Sequence, residues 1–191
     1  MIIGITGGTG CGKTTALEVF GELGGIVLDC DRIYHQLLQT DTTLLTAIED
    51  RFPGTVIDGE LDRKKLGSLV FSDKAALCDL NAITHSAVRQ EVLRIIQAQP
   101  GHIAIDAIGL FEGGLAELCD VTVAVTAPEA VRAQRLMARE GISEEYARAR
   151  IAAQRPQEEF SRLCDHTLAN DGTAEEFREK CLAFFKHLGI L

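Results

Sequence analysis

Short apolar runs, separated by longer amphipathic stretches, dominate the hydrophobic pattern of this chain. They predict β-strands at Met1–Thr6, Ile26–Leu28, Ile103–Ile105, Val121–Val125 and, with a weaker pattern, Thr167–Ala169. The fourth run has no polar face and is rich in β-branched residues, which is typical of a strand covered on both sides. Helical periodicity fills the intervals, so the pattern predicts an α/β fold with about five strands in a doubly wound parallel sheet.

Capping residues mark the starts of several predicted helices. One helix should cover Lys13 to Leu23, and Pro128 and Ser143 precede two more. Thr173 and Glu176 have the spacing of a capping box for the last helix. The helical period of that last segment predicts that it buries Phe177, Cys181, Phe184 and Leu188.

The segment from residue 31 to about residue 100 interrupts the alternation of strands and helices. It is mostly helical, with turn signals at Pro53-Gly54 and Asp58-Gly59, and it is far longer than a crossover requires. We therefore interpret residues 1–191 as a single domain. Its core would comprise residues 1–30 and 101–191, with residues 31–100 as a helical subdomain.

The residues after the first predicted strand read GGTGCGKT, from Gly7 to Thr14, and match the pattern G-x-x-x-x-G-K-[ST]. Between a strand and a helix, this pattern forms a phosphate-binding loop. Its glycines let main-chain N–H groups close around a polyphosphate, and the N-terminus of the following helix attracts the anion. Lys13 should reach the outer phosphates of ATP, and the Thr14 hydroxyl should bind Mg²⁺.

The overall charge narrows the choice of ligands. The formal net charge is −9 over 191 residues, which argues against broad nucleic-acid binding.

No apolar run is long enough to span a membrane, and the N-terminus enters the first strand without the features of a signal peptide. We expect a cytoplasmic protein that binds small molecules, without a membrane and without an obligate protein partner.

Arginines are concentrated in one short segment of this acidic chain. A solvated helix face would explain such a run. However, arginine suits phosphate better than lysine does, and the phosphate loop already implies a polyanionic ligand. We expect at least one arginine of this set to contact phosphate: Arg132, Arg135, Arg139, Arg148, Arg150 and Arg155.

Six cysteines are present, and none of them belongs to a C-x-x-C pair, so a zinc site is not indicated. Cys11 is distinctive because it lies inside the phosphate loop, next to a helix N-terminus and near Lys13. Those features lower the pKa of a thiol. The alternative is that Cys11 is only a small residue of the loop. An adduct on this thiol would fill the phosphate site and should block ATP binding.

Carboxylates end two of the predicted strands, at the edge of a doubly wound sheet where ligands bind. Asp31 could orient or deprotonate an acceptor hydroxyl, or it could cap a helix over Arg32–Leu38. Asp29 could support a metal through water. Asp106 could hold Mg²⁺ in the manner of a Walker B aspartate, or it could be a turn residue. The residues alone leave these alternatives open.

Taken in chain order, the motifs resemble those of the dephospho-CoA kinases over nearly the whole length. Residues 5–15 resemble the opening TGGIGSGKST of that family, and residues 28–31 resemble its IDAD. Further pieces are the strip from Asp62 to Phe71, residues 80–85 (LNAITH) and residues 106–112 (DAIGLFE). The last third adds Arg135, Arg139, Gln154, Arg155, Asp165 and Asn170-Asp171-Gly172.

This resemblance implies a fold of the P-loop NTP hydrolase type, with a helical acceptor-binding insertion and a lid over about residues 139–158. It also implies transfer of the γ-phosphoryl of ATP to the ribose 3′-hydroxyl of dephospho-CoA. The implied catalytic residues are Lys13, Asp31, Arg135 and Arg139. The implied ATP-binding residues are Gly8, Gly10, Cys11, Gly12, Lys13, Thr14, Thr15, Arg155 and Asn170. The implied acceptor-binding residues are Asp31, His85, Leu110, Phe111 and Glu112. Thr14 and Asp106 would hold Mg²⁺, with Asp29 as an alternative that acts through water.

Departures from the family pattern affect the acceptor pocket more than the chemistry. Ser86 stands where the family has a proline after the histidine, and Ile108 and Gly109 replace a Pro-Leu pair. The nearest rival interpretation is a kinase of nucleoside monophosphates. A nucleotide-controlled switch is a second rival, but the chain has no N-K-x-D guanine motif, and Ala107 follows Asp106 where motor-type ATPases often have glutamate.

Overall fold

The computed structural model describes residues 1–190 and confirms the α/β architecture. Seven strands occur among these residues. They are β1 (Ile2–Thr6), β2 (Ile26–Asp29), β3 (Val56–Ile57), β4 (Glu60–Leu61), β5 (Ile103–Asp106), β6 (Val121–Thr126) and β7 (His166–Ala169). The α-helices are α1 (Lys13–Glu22), α2 (Cys30–Thr40), α3 (Thr42–Arg51), α4 (Arg63–Val70), α5 (Lys74–Ala98), α6 (Glu129–Glu140), α7 (Glu144–Ala152), α8 (Gln157–Leu163) and α9 (Ala174–His187).

The main sheet has the parallel strand order β2-β5-β1-β6-β7. Because β1 is central and both neighbours come much later in the chain, the strand order reverses beside it. Ligands of such sheets bind where the order reverses, at the carboxyl ends of the strands. The loop after β1 lies at this point. The central position also explains the composition of β1, since its side chains Ile3 and Ile5 are completely buried.

The last helix packs against the first on one face of this sheet. The capping box of Thr173 and Glu176 is confirmed, and Phe20 of α1 meets Phe185 of α9 edge-on with ring centroids 5.3 Å apart. Phe185 is completely buried, whereas Phe184 and Leu188 are partly buried at the margin of the core. Phe184 therefore packs against the core as predicted, whereas the sequence pattern did not predict the complete burial of Phe185 beside it.

By internal contacts the chain divides into two compact units. The first comprises residues 1–28, 100–110 and 115–191, and the second comprises residues 29–99 and 111–114. The second unit contains α2 to α5 and has its own apolar core, which includes Leu38, Leu45, Ile48, Phe52 and Leu66. It also contains a two-stranded hairpin, β3–β4, that the apolar pattern did not predict. Its turn, Asp58-Gly59, has positive φ at both residues, as a tight hairpin turn requires.

The helix α5 runs without a break through two residues of the family resemblance. His85 lies near its middle, and Ser86 continues the same helix. The serine that replaces the family's proline therefore lies inside a helix. No helix within residues 1–190 is long and apolar enough to cross a membrane.

Candidate active site

The loop from Gly7 to Gly12 connects β1 to α1 and gives α1 an N-terminus without a side-chain cap. Gly10 and Gly12 have φ values of 76° and 102°, in the left-handed region that favours glycine. A Cβ atom on Gly10 would lie 2.8 Å from the carbonyl oxygen of Arg132. The first N–H groups of α1, on Lys13 and Thr14, have no acceptor within the helix and attract an anion.

An open cavity of about 290 Å³ lies at this helix N-terminus in the first unit. Its lining joins the loop to the last residue of β5, to Ile108 two residues further on, and to one face of α6. The lining residues are Gly8, Thr9, Gly10, Cys11, Gly12, Lys13, Thr14, Asp106, Ile108, Arg135 and Arg139. Three cations and a single carboxylate therefore share the cavity, which is a charge balance that suits a polyphosphate with its metal ion.

Two side chains far along the chain brace the loop from outside the cavity. The Arg132 guanidinium, which is buried, donates from Nε to the carbonyl of Thr9 at 2.9 Å and from Nη2 to Gln154 Oε1 at 3.3 Å. Gln154 Oε1 also accepts the Thr9 N–H at 2.8 Å. Burial lowers the pKa of Arg132. The hydrogen bonds to Thr9 and Gln154 fix the position of its guanidinium. Arg132 was predicted only as one of six arginines of which at least one should contact phosphate, and Gln154 had no predicted function, so the sequence did not predict this bracing.

Arg135 and Asn170 hold the next two carbonyls of the loop. Arg135 Nη1 lies 3.3 Å from the Gly10 oxygen and 3.4 Å from the Cys11 oxygen, and its Nη2 donates to Asn170 Oδ1 at 3.1 Å. Asn170, which is buried, donates from Nδ2 to the Cys11 oxygen at 2.9 Å. With these carbonyls bonded on the outside, the loop is held in an open curve around the cavity.

Replacing Gln154 by leucine tests this bracing. The change removes the acceptor of the Thr9 N–H, and we expect the KM for ATP to rise about tenfold, which corresponds to roughly 1.4 kcal/mol. Steady-state kinetics at varied ATP would measure it. Gln157→Leu is the matched control, because Gln157 Oε1 accepts the Ala127 N–H at 2.7 Å, which is a main-chain N–H outside the loop. An equal rise of KM in both variants would contradict the bracing.

Cys11 does not have the activated thiol that its position in the sequence suggested. Its side chain is 1% exposed and belongs to the apolar core beside Gly7. Burial raises the pKa of the Cys11 thiol, and this outweighs the opposite effects of Lys13 and Arg132. The expectation of a lowered pKa is therefore wrong, and Cys11 fits the alternative of a small residue that packs beneath the loop.

Thiol labelling should follow exposure. We expect iodoacetamide at pH 8 to modify Cys78, which is exposed on α5, well before Cys11, because a buried thiol with a raised pKa offers little thiolate. Peptide mass spectrometry over a time course would show the order. Chains that carry the Cys11 adduct should lose ATP binding. Labelling of Cys11 at the rate of Cys78 would contradict this picture.

The remaining predicted ATP residues do not line the cavity. Thr15 lies in the first turn of α1, and Asn170 acts through the loop. Arg155 Nη1 lies 3.8 Å from Glu159 Oε2, and Arg155 Cζ lies 6.0 Å from the centre of the Phe160 ring. Arg139, by contrast, lines the cavity while its guanidinium pairs with Glu140 at 2.5 Å.

The predicted acceptor residues are divided between the two units. Leu110 belongs to the first unit and is completely buried, with its methyl groups over Gly4, so direct contact with an acceptor is excluded in this structure. Phe111 and Glu112 belong to the second unit and are half-buried and exposed, respectively. His85 is half-buried in the same unit.

The two aspartates at the start of α2 have different surroundings. Asp29 is the N-cap, and its Oδ1 accepts the Arg32 N–H at 2.9 Å. Asp31 lies in the first turn and is exposed. The capping function that the sequence left open for Asp31 therefore belongs to Asp29.

A magnesium ion would find its protein ligands inside the cavity. No cluster of three or more His, Cys, Asp or Glu side chains suited to a metal occurs in residues 1–190. Mg²⁺ bound with a nucleotide does not need one, since it takes one or two protein oxygens together with phosphate oxygens and waters. The Thr14 hydroxyl and the Asp106 carboxylate line the same cavity and fit that requirement.

Comparison with known proteins agrees with this geometry. The family model described as dephospho-CoA kinase matches residues 1–176. The chain belongs to the dephospho-CoA kinase family. A dephospho-CoA kinase of Geobacillus kaustophilus is 37% identical over 100% of this chain and 98% of its own length.

Solved structures extend the family's similarity to the fold. A protein from Thermus thermophilus is 34% identical and superposes with a TM-score of 0.80, over 98% of this chain and 97% of that one. The dephospho-CoA kinase of Campylobacter jejuni is 26% identical with a TM-score of 0.69, over 98% and 96%. The fold is thus that of the P-loop kinases, as the family resemblance predicted.

Proposed function

We propose that this chain transfers the γ-phosphoryl group of ATP to the ribose 3′-hydroxyl of dephospho-CoA, giving coenzyme A and ADP. The cavity at the N-terminus of α1, with Lys13 and two arginines in its lining, carries this proposal as the donor site. The family match over residues 1–176 supports the choice of acceptor. To catalyse phosphoryl transfer, a protein mainly has to align the two substrates and neutralise the negative charge on the phosphates.

On the donor side, the loop amides and the first turn of α1 would bind the β- and γ-phosphates. The Lys13 ammonium donates to the Gly7 oxygen at 3.0 Å, which keeps its head at the rim of the loop. Arg135 and Arg139 would neutralise charge on the transferred group as it leaves the β-phosphate. Thr14 and Asp106 would hold Mg²⁺, which would neutralise negative charge on the phosphates during transfer.

On the acceptor side, Asp31 would act as the general base. Its carboxylate is exposed and does not serve as the cap of α2, so it can bind a hydroxyl group of a ligand. As the 3′-oxygen forms its bond to the γ-phosphorus, Asp31 would accept the hydroxyl proton, and the bond to the β-phosphate oxygen would break. His85, Phe111 and Glu112 stay predicted contacts of the acceptor.

The test of this function is turnover by the purified protein with ATP, Mg²⁺ and a panel of acceptors. We expect saturable release of ADP with dephospho-CoA and a product one phosphate heavier by mass spectrometry. Saturable turnover with AMP or CMP, and none with dephospho-CoA, would favour the nucleoside monophosphate kinase. Strong ATP hydrolysis without any acceptor would favour a regulatory ATPase. Dependence on Mg²⁺, a lid over residues 139–158 and a cytoplasmic location stay predictions.

A further inference from the structure

Arg139 differs from the other two cations of the cavity in the charge of its partner. Lys13 and Arg135 bond to neutral groups, which are carbonyl oxygens of the loop and the amide of Asn170. The Arg139 guanidinium instead donates from Nη2 to Glu140 Oε1 at 2.5 Å. Glu140 does not line the cavity, so its carboxylate contacts Arg139 from outside. The proposed phosphoryl transfer leaves this glutamate without a role.

A second arginine binds the other oxygen of the same carboxylate. Arg150 of α7 donates from Nη1 to Glu140 Oε2, so each carboxylate oxygen of Glu140 has its own arginine. Neighbouring residues of a helix do not face each other, and helical geometry alone therefore does not explain the contact between Arg139 and Glu140. The bond from Arg150 fixes the carboxylate in a position that the Arg139 side chain can reach.

The base of this arrangement is rigid because α6 and α7 pack on each other. Residues 141–143 connect the two helices in a short turn. Leu136 of α6 and Ile151 of α7 are buried in one small apolar cluster that both helices share. This packing holds Glu140 and Arg150 near each other, so the carboxylate is a fixed point beside the cavity.

The second arginine also decides the charge of the group. A pair of Arg139 and Glu140 alone would be neutral and would do little to neutralise a phosphate. With Arg150 the group has two positive charges and one negative charge, and one positive charge remains. The hydrogen bonds from Arg139 and Arg150 hold the pKa of the Glu140 carboxyl below its usual range, so the carboxylate is ionised at neutral pH.

The bond to Glu140 leaves donors of Arg139 for a ligand. A guanidinium has five N–H groups, and this bond uses Nη2, so those on Nε and Nη1 can meet phosphate oxygens. The Arg139 side chain is 60% exposed, and an exposed arginine without a partner samples many rotamers. A side chain that is ordered beforehand loses less entropy when it meets its ligand.

We propose that Glu140 is a positioning residue of the donor site, which holds the Arg139 guanidinium at the cavity and is itself anchored by Arg150. This inference rests on the proposed function, in which Arg139 neutralises charge on the transferred phosphoryl group. Glu140 acts through Arg139 and does not touch the substrates.

A double-mutant cycle tests this action through Arg139. We expect Glu140→Gln to lower kcat about tenfold, the lower end of the effect of a hydrogen bond between charged groups, with less than about a twofold change in either KM. In the Arg139→Ala background the same exchange should not lower kcat further. An unchanged or raised kcat in Glu140→Gln, or an equal loss in both backgrounds, would overturn the proposal.

Glu144→Gln is the matched control. It makes the same charge change at the start of α7 and breaks an ion pair of 2.8 Å with Arg148, which does not line the cavity. Its kcat should stay within about twofold of the wild-type value, because surface ion pairs contribute little to stability. A loss of kcat in Glu144→Gln as large as that in Glu140→Gln would assign the effect to charge or packing in general and would contradict positioning.

A binding measurement separates this inference from the proposed function. ADP with Mg²⁺ and aluminium fluoride mimics the phosphoryl group during transfer, and calorimetry of its binding needs no acceptor. We expect Glu140→Gln to bind ADP as the wild type does and to bind the aluminium fluoride complex about tenfold more weakly. In the Arg139→Ala background this difference should vanish.

The two hypotheses then fail in different ways. Turnover of dephospho-CoA by the wild type, together with equal affinities of the wild type and Glu140→Gln for the aluminium fluoride complex, would refute the positioning by Glu140 and retain the proposed function. A tenfold difference in those affinities without turnover of dephospho-CoA would retain the positioning and refute the proposed function.

Discussion

Replacing Lys13 by alanine is expected to lower kcat/KM for ATP at least about 100-fold, the loss typical for removal of one preorganised donor to a developing charge. Lys13 begins α1, and its ammonium, 3.0 Å from the Gly7 oxygen, lies within reach of phosphates bound in the loop. It would bind ATP before transfer and the more highly charged leaving group during transfer. The KM for ATP should therefore rise and kcat should fall. Initial rates over a range of ATP concentrations would show both changes.

Lys186→Ala serves as the matched control for this experiment. Lys186 is exposed in the last turn of α9, in the same unit, so its removal changes the net charge equally without touching the cavity. Thermal unfolding of both variants should resemble that of the wild type, since Lys13 is not a member of the buried apolar core. If Lys13→Ala kept half of the wild-type kcat/KM or more, the donor site would have to lie elsewhere.

Replacing Asp31 by asparagine is expected to lower kcat about 100-fold or more, with a small change in the KM for ATP, because an amide cannot accept the hydroxyl proton. The side chain is exposed and the cap of α2 is on Asp29, so the exchange leaves the helix start intact. Asp31→Glu should retain part of the rate. Single-turnover measurements with dephospho-CoA would separate the chemical step from product release.

Asp50→Asn makes the same charge change on an exposed position of α3, in the same unit, and should not alter kcat. A kcat for Asp31→Asn equal to that of the wild type would show that this carboxylate is not the base. A rise in acceptor KM alone, with kcat retained, would instead assign Asp31 to binding.

Local patterns predicted the parts of the structure that depend on neighbouring residues. The loop from Gly7 to Thr14 could be predicted because its glycines, its lysine and its flanking strand and helix follow one another in sequence. The capping box at Thr173 was readable for the same reason. The start of α2 was misplaced by two residues, although Cys30, buried in phase with Ile33, marks the earlier start.

Contacts between distant residues were beyond the reach of these patterns. Arg132 meets the Thr9 carbonyl, and Gln154 meets the Thr9 N–H, across separations of 123 and 145 residues. An arginine that faces solvent and one that braces a loop have the same helical spacing, so the run at 132–155 indicated a solvated helix face or contact with phosphate, and not the bracing of the loop. Burial reversed the expectation for Cys11 in the same way, because neighbouring charges are visible in a sequence and desolvation is not.

The bracing of the phosphate loop has a consequence for the order in which the molecule acquires its activity. The motif is synthesised before the side chains that hold its carbonyls, which are at positions 132, 135 and 170. A nascent chain that ends before residue 130 contains the whole signature and none of these supports. The loop therefore becomes able to bind a nucleotide only after residues 132–170 have been synthesised and have folded against it.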